Sequence, residues 1–285
     1  MINQNIAVGQ NIRVGRISYV NVAPVYYGFD AGLRPDWIKM LSAPPSVLNN
    51  MMLKGDLDIS PVSSAAYAQH QDKWLILPDL SISCFGKIMS VIIVSRYPFY
   101  QLNNKKVIFT DESETAAELL KLLFMSKRIV PFFETRTIKN PKDIQKDDGA
   151  VLLIGDTALK EKWSAYYDYV WDLGDMWKKL TGLPFVFAIW VVKKSFADKR
   201  PETVSSIIDL FHSSKKKGSQ NIDRIAKSAA TKLGISVDTC SEYFDKLCYD
   251  LNSFQIDGIE AFFKRLYKEK IVSKPVKLSF FDFRR

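Results

Sequence analysis

Two uninterrupted apolar runs constrain this chain more than any other feature. Ser90-Val91-Ile92-Ile93-Val94-Ser95 and Phe185-Val186-Phe187-Ala188-Ile189-Trp190-Val191-Val192 are far too short to span a bilayer. They are also too uniformly apolar to leave one face in water, so each predicts a strand covered on both sides. The stretch between them carries strands and helices of its own. A chain that leaves one body, builds a second and returns must cross twice, and the two runs sit where those crossings are needed. The expected organisation is one lobe from residues 1–97 plus 197–285 and a second from 98–196, with a ligand site where they meet.

The rest of the first two thirds alternates short apolar strands with helical patterns, the signature of an α/β fold. Strands are predicted at Ile12–Ile17, 58–62, 106–110 and 150–154. Pro44 and Pro45 mark a turn, Ser46 is placed to cap a helix through Met52, and Gly55 to end it. Ser63 and Ser64 open a helix over 65–69, and another is expected over 115–125. Beyond Ser195 four helical segments follow, near 202–216, 219–233, 238–250 and 257–270. The last opens on Asp257 and Glu260 in capping-box spacing. The aromatic, basic tail from Lys277 to Arg285 is expected to dock as an extended segment.

Several function classes are excluded at this level. The formal charge is +9, from 40 Lys and Arg against 31 Asp and Glu, yet the cations are scattered or sit in short runs such as 215–217. There is no basic stripe interleaved with aromatics and no zinc-finger or RNP-type motif, so nucleic acid is not the expected partner. The charge instead favours solubility and steers anions. Cys84, Cys240 and Cys248 are odd in number and lack CxxC spacing, which argues against both a disulfide framework and a zinc cage. Cys240 and Cys248 read as small core residues of a helix. The N-terminal residues show neither a basic n-region nor an apolar h-region, so the expectation is a cytoplasmic protein without membrane contact. No spacing implies a metal or an organic cofactor, and nothing sets an oligomeric state.

One arrangement occurs three times: an apolar strand, a polar turn, a helix start. It appears at Ser60–Ser64, at Asp111–Thr115 and at Gly155-Asp156-Thr157. Such turns lie at the carboxyl ends of strands in open α/β sheets, and helix N-termini with hydroxyls hold carboxylates or phosphates. Ser63, Ser64, Ser113, Thr115, Gly155 and Asp156 are therefore candidate ligand contacts, although Ser and Thr also cap helices for purely local reasons. The catalytic inventory is thin. His70 and His212 sit in polar contexts and read as solvated, and solvation or capping accounts for Asp56 and Asp58 at a strand start better than acid–base work. GxSxG, HExxH and Walker signatures are absent. An enzyme made from this set works by positioning and neutral hydrogen bonds.

Longer strings narrow the field. Gly15-Arg16-Ile17-Ser18-Tyr19-Val20-Asn21-Val22-Ala23-Pro24 resembles the hallmark of the chorismate dehydratase family, which opens the futalosine route to menaquinone. Residues 55–64, 79–95, 153–159, 172–177 and 181–188 resemble that family in the same order. The resemblance implies the two-lobed type II periplasmic-binding-protein fold, cytoplasmic location, and loss of water from chorismate to give 3-[(1-carboxyvinyl)oxy]benzoate. It puts Asn21 and Ser90 in the active site, holding the enolpyruvyl group and the reacting carbons. Tyr19, Thr181, Pro184 and Phe185 complete the expected walls. With no evident protein base, the substrate's own carboxylate is left to take the proton. The chain departs from the family where Ala116 follows Ser113-Glu114-Thr115 in place of a hydroxyl, so that either Glu114 points away from an anionic ligand or the pocket is rearranged. Two other readings stay open: a binding protein that holds a small acid unchanged, and the sister enzyme acting on cyclic dehypoxanthine futalosine.

Overall fold

The computed structural model describes residues 11–282. The expectation about the N-terminal segment falls on residues 1–10, outside the described residues, as do the last three residues of the tail. In chain order the first stretch is β1 (Ile12–Ile17), α1 (Ala23–Gly28), β2 (Ile38–Ala43), α2 (Pro45–Lys54), β3 (Ile59–Ser63), α3 (Ser64–His70) and β4 (Trp74–Cys84). The middle is β5 (Val91–Ser95), β6 (Lys106–Phe109), α4 (Glu114–Ser126), β7 (Phe132–Thr135), β8 (Ala150–Ile154), α5 (Gly155–Lys160), β9 (Tyr169–Asp172) and α6 (Leu173–Thr181). The chain returns through β10 (Phe185–Lys193) into α7 (Lys194–Lys199), α8 (Pro201–Ser219), α9 (Ile222–Leu233), α10 (Val237–Lys246) and α11 (Ser253–Lys268).

The strands form two five-stranded sheets ordered β2-β1-β3-β10-β4 and β7-β6-β8-β5-β9. In each, three strands run parallel and the fourth lies antiparallel to its neighbours: β10 between β3 and β4, β5 between β8 and β9. The two apolar runs are these antiparallel strands, and every residue of β5 is buried. They belong to different sheets. The expected division at residue 97 keeps β5 with the first lobe, whereas its hydrogen bonds put it in the second sheet. Hydrophobicity alone does not say which sheet a covered strand joins. The chain therefore crosses at 85–90 and again between α6 and β10.

One carboxylate fastens both crossings. Asp172 caps α6 through the Asp175 amide at 3.1 Å and accepts from the amides of Ile88 at 2.9 Å and Met89 at 2.6 Å. Gly174 lies so close that a Cβ there would stand 2.4 Å from the Gly86 carbonyl oxygen.

Local differences from expectation have simple causes. Pro44 and Pro45 open α2 directly, with Pro45 at the first helical position, so Ser46 lies inside the helix. Gly55 ends it in the left-handed region at φ 83°. The last helix starts earlier than its acidic pair suggests: Asn252 caps α11 by accepting from Phe254 N, and Asp257 falls within the helix. Asp58 is 6% exposed and paired with Arg13 at 2.8 Å rather than solvated. His70 stands edge-on to Trp74, and His212 Nε2 lies 3.0 Å from the Pro78 carbonyl, so neither is a free surface imidazole. Cys240 is buried in α10, but Cys248 lies beyond that helix and pairs by its backbone with Ser83. That pairing is part of a cover over the outer side of β4. The Ser81 and Ser83 amides donate to Tyr249 and Cys248, and the Ile76 amide and carbonyl bond Ser279 and Phe281 of the extended tail.

Candidate active site

Between the two sheets lies a cleft lined by residues of both lobes. The first lobe contributes Tyr19, Asn21, Pro45, Ser63, Phe187 and Ala188 to its lining. The second, with the first crossing, contributes Ile88, Ser90, Ser113, Ile154 and Gly155. No Asp, Glu, His, Lys or Arg is among the lining residues.

What the cleft does carry is hydroxyls with a fixed sense. Ser63 caps α3 by accepting from Ala66 N at 3.2 Å and accepts again from Asn49 Nδ2 at 3.1 Å. Ser113 caps α4 by accepting from Ala116 N at 3.2 Å. Ser90, 3% exposed, accepts from the Tyr243 hydroxyl at 2.9 Å. The Ser90 and Ser113 oxygens are engaged as acceptors, which leaves their protons to donate into the cleft, whereas the Ser63 hydroxyl bonds the Glu114 carboxylate. Asn21 completes the set. Its backbone carbonyl accepts from Tyr249 OH at 2.8 Å, while its side-chain Oδ1 is shielded from solvent and has no partner among the described residues. A shielded acceptor of this kind calls for a donor from a ligand.

The other expected contacts do different work. Ser64 Oγ donates to the Val186 carbonyl at 2.7 Å, fixing α3 to β10. Thr115 Oγ1 accepts from Ala65 N at 2.8 Å, so the start of α3 is bonded by the opposite lobe rather than left for an anion. Asp156 Oδ1 accepts from Val20 N at 3.0 Å across the lobes, with Lys232 at 3.6 Å, instead of facing the cleft. Thr181 Oγ1 donates to the Trp177 carbonyl, and the Pro184 carbonyl accepts from Trp177 Nε1. Phe185 packs against Trp177 and Phe262. The wall expected at 181–185 is displaced along the chain: the register of β10 against β4 slips between Val186 and Ala188, and Phe187 and Ala188 line the cleft. Glu114 does turn away from the lining, its Oε2 3.4 Å from Asn49 Nδ2.

Tyr19 is held across the cleft. Its hydroxyl donates to Glu112 Oε2 at 2.5 Å, and its ring lies against Gly155. Burial, then the Glu112 bond, pushes its phenol far above the ordinary tyrosine range. Beyond Tyr19 a second concavity of about 1060 Å³ carries Arg16, Arg224 and Lys232. There Arg16 is paired with Asp30 at 2.7 Å and Lys232 lies 3.6 Å from Asp156, while the lining of the inner cleft carries no charged side chain.

Sequence reasoning missed the two tyrosines that meet Asn21 and Ser90. They come from the helical end of the chain, where periodicity marks them only as core. It also missed the apolar lining, whose residues carry no chemical signal.

The comparisons agree with this geometry. A chorismate dehydratase of Thermus thermophilus is 28% identical over 268 residues, 89% of this chain and 94% of the relative. The 1,4-dihydroxy-6-naphtoate synthase of the same organism is 27% identical over only 53% of this chain and 54% of its own length. Among solved structures, a protein of Archaeoglobus fulgidus superposes with a TM-score of 0.75 at 18% identity, covering 92% of this chain and 98% of that one. The periplasmic aliphatic sulphonate binding protein of Escherichia coli superposes at 0.64 with 14% identity, covering 95% and 91%. The two-lobed architecture is thus that of periplasmic binding proteins. The family model described as menaquinone biosynthesis matches residues 12–268, and by that match the chain belongs to the menaquinone biosynthesis family.

Proposed function

We propose that the protein is a hydro-lyase that converts chorismate to 3-[(1-carboxyvinyl)oxy]benzoate and water. The observation that carries this reading is the chemistry of the cleft: two serine hydroxyls free to donate inward, one unpartnered amide oxygen and no carboxylate, imidazole or amine in the lining. A dianion with a single hydroxyl fits such a lining. Its carboxylates take the serine protons, and its ring hydroxyl is the donor that Asn21 Oδ1 lacks. The coverage of the Thermus thermophilus chorismate dehydratase supports the same substrate.

In this reading the C–H bond at the ether-bearing carbon and the neighbouring C–OH bond break, and the ring becomes aromatic. The enolpyruvyl carboxylate takes the proton and passes it to the departing hydroxide, so water leaves and no group on the protein changes charge. Ser90 and the Asn21 amide hold that carboxylate over the C–H bond; Asn21 Oδ1 accepts from the ring hydroxyl and turns its lone pairs toward the incoming proton. The contribution of the chain is orientation. Ser113 holds the ring carboxylate, while Tyr19, Thr115 and Asp156 keep the lobes together around it. The two lobes divide differently from the expected 1–97 plus 197–285 and 98–196: β5 pairs in the second sheet and β10 in the first, so both boundaries move back, to 85–90 and to the stretch between α6 and β10.

The test is incubation of the purified protein with chorismate, followed by mass spectrometry and NMR of the products. A product lighter by one water, with a meta-substituted aromatic ring and the enolpyruvyl group intact, is expected. Unchanged chorismate refutes the proposal.

A further inference from the structure

We propose that Tyr243 is a positioning residue that fixes the Ser90 hydroxyl as a donor aimed into the cleft. This rests on the reaction proposed above and adds to it a residue contributed by the helical end of the chain.

The argument begins with burial. Tyr243 is 1% exposed in α10, within an apolar cluster of Val20 next to Asn21, Leu159 of α5, and residues of α9 and α10. A phenol hydroxyl in such a place needs a partner. The partner present is Ser90 Oγ at 2.9 Å. Burial holds the Tyr243 phenol above the ordinary range, so it keeps its proton at any working pH. With the Tyr243 hydroxyl as donor, Ser90 receives a hydrogen bond from one side. Its backbone carbonyl is also engaged, by the Gly155 amide at 2.8 Å, which fixes the residue between the crossing and α5.

A serine oxygen that accepts from a phenol has its own proton free, and the open side of Ser90 is the cleft. Donation from the phenol also polarises the serine O–H, because hydrogen bonds in a chain strengthen one another. Removing the phenol oxygen leaves the Ser90 side chain in place but lets its proton rotate away from the ligand. The predicted defect is thus one of direction, and it is transmitted only through Ser90.

A double-mutant cycle tests this in the full-length protein: Tyr243→Phe, Ser90→Ala and both together, with kcat and KM measured for chorismate. Tyr243→Phe is expected to lower kcat/KM about tenfold, the scale of one lost hydrogen bond. In the Ser90→Ala background the same change is expected to have no further effect, since the group it acts through is gone. Effects that multiply, or a Tyr243→Phe protein within twofold of wild type, overturn the assignment. If wild-type protein leaves chorismate unchanged, the reaction proposed above falls, and the Tyr243 hydroxyl proton decides this point by NMR of tyrosine-labelled protein. A slowly exchanging resonance that shifts on Ser90→Ala supports the assignment; one that does not shift overturns it.

Discussion

Replacing Gly155 by alanine strikes the place where backbone conformation and interlobe packing depend on the same missing atom. Gly155 has φ +57°, and an added Cβ would lie 2.8 Å from both Cδ2 and Cε2 of the Tyr19 ring. The left-handed conformation costs an alanine about 1–2 kcal/mol. Forcing a methyl against a ring already tied to Glu112 adds about 1–3 kcal/mol, the usual range for overpacking. The expected loss is the sum of the two, and urea unfolding of wild type, Gly155→Ala, Tyr19→Ala and the double variant measures it. With the ring gone, only the backbone part of the Gly155→Ala cost is expected to remain. Turnover is expected to fall more than stability, because displacing Tyr19 moves a wall of the cleft. A Gly155→Ala protein within about 0.5 kcal/mol of wild type, the ordinary scatter of harmless substitutions, refutes the reasoning. So does a cost that is the same with and without the Tyr19 ring.

Three further outcomes are expected. Asn21→Ala and Ser90→Ala are each expected to cut kcat by about 10² or more, the scale of a misoriented reacting pair, while thermal unfolding of Asn21→Ala stays close to wild type because Oδ1 has no partner to lose. The kcat profile is expected to be flat from about pH 6 to 9, since no titratable carboxylate, imidazole or amine lines the cleft; a limb near neutrality would reveal a protein base. Burial pushes the Asp58 carboxyl up, but the Arg13 side chain and amide and the nearby Lys193 outweigh it and hold it below the usual range. Its stabilisation is therefore present above the ordinary aspartate value and lost as pH falls through the lower folded one. Asp58→Asn is expected to cost about 1–2 kcal/mol at pH 7, reduced by water around the exposed guanidinium, with the gap to wild type closing below about pH 4 in acid unfolding.

Much of the fold was legible because apolar runs and turn residues agreed: β1, β3, β6, β8 and β10 stand where the apolar stretches and their turns put them, and Ser63 and Ser113 cap helices as their positions required. β4 was not legible. Pro78 and Asp79 interrupt it, and Asp79 takes φ 54°, so an eleven-residue strand looks broken in sequence and is held by contacts from Lys215 and Leu251. β7, exposed at every position, has no buried face to write into its pattern. The site divides the same way. Ser63 and Ser113, found from local signals, and Asn21 and Ser90, implied by the resemblance, face one cleft. Thr115 and Asp156 share those signals, yet their partners, Ala65 and Val20, lie on the other lobe, and no local pattern encodes which lobe a hydroxyl or carboxylate will meet.

The cover over the outer side of β4 has a consequence for the protein in crowded solution. A long strand with a free side is a template on which another chain can add, and aggregation begins at such strands. Here two remote segments, 248–249 and 279–281, occupy the bonding positions at Ile76, Ser81 and Ser83 that an intruding copy would use. Neither Ser279 nor Phe281 lines the cleft. Damage to that tail therefore leaves the chemistry intact in each molecule and makes the molecules adhere to one another, so the defect shows as precipitation before it shows as lost turnover.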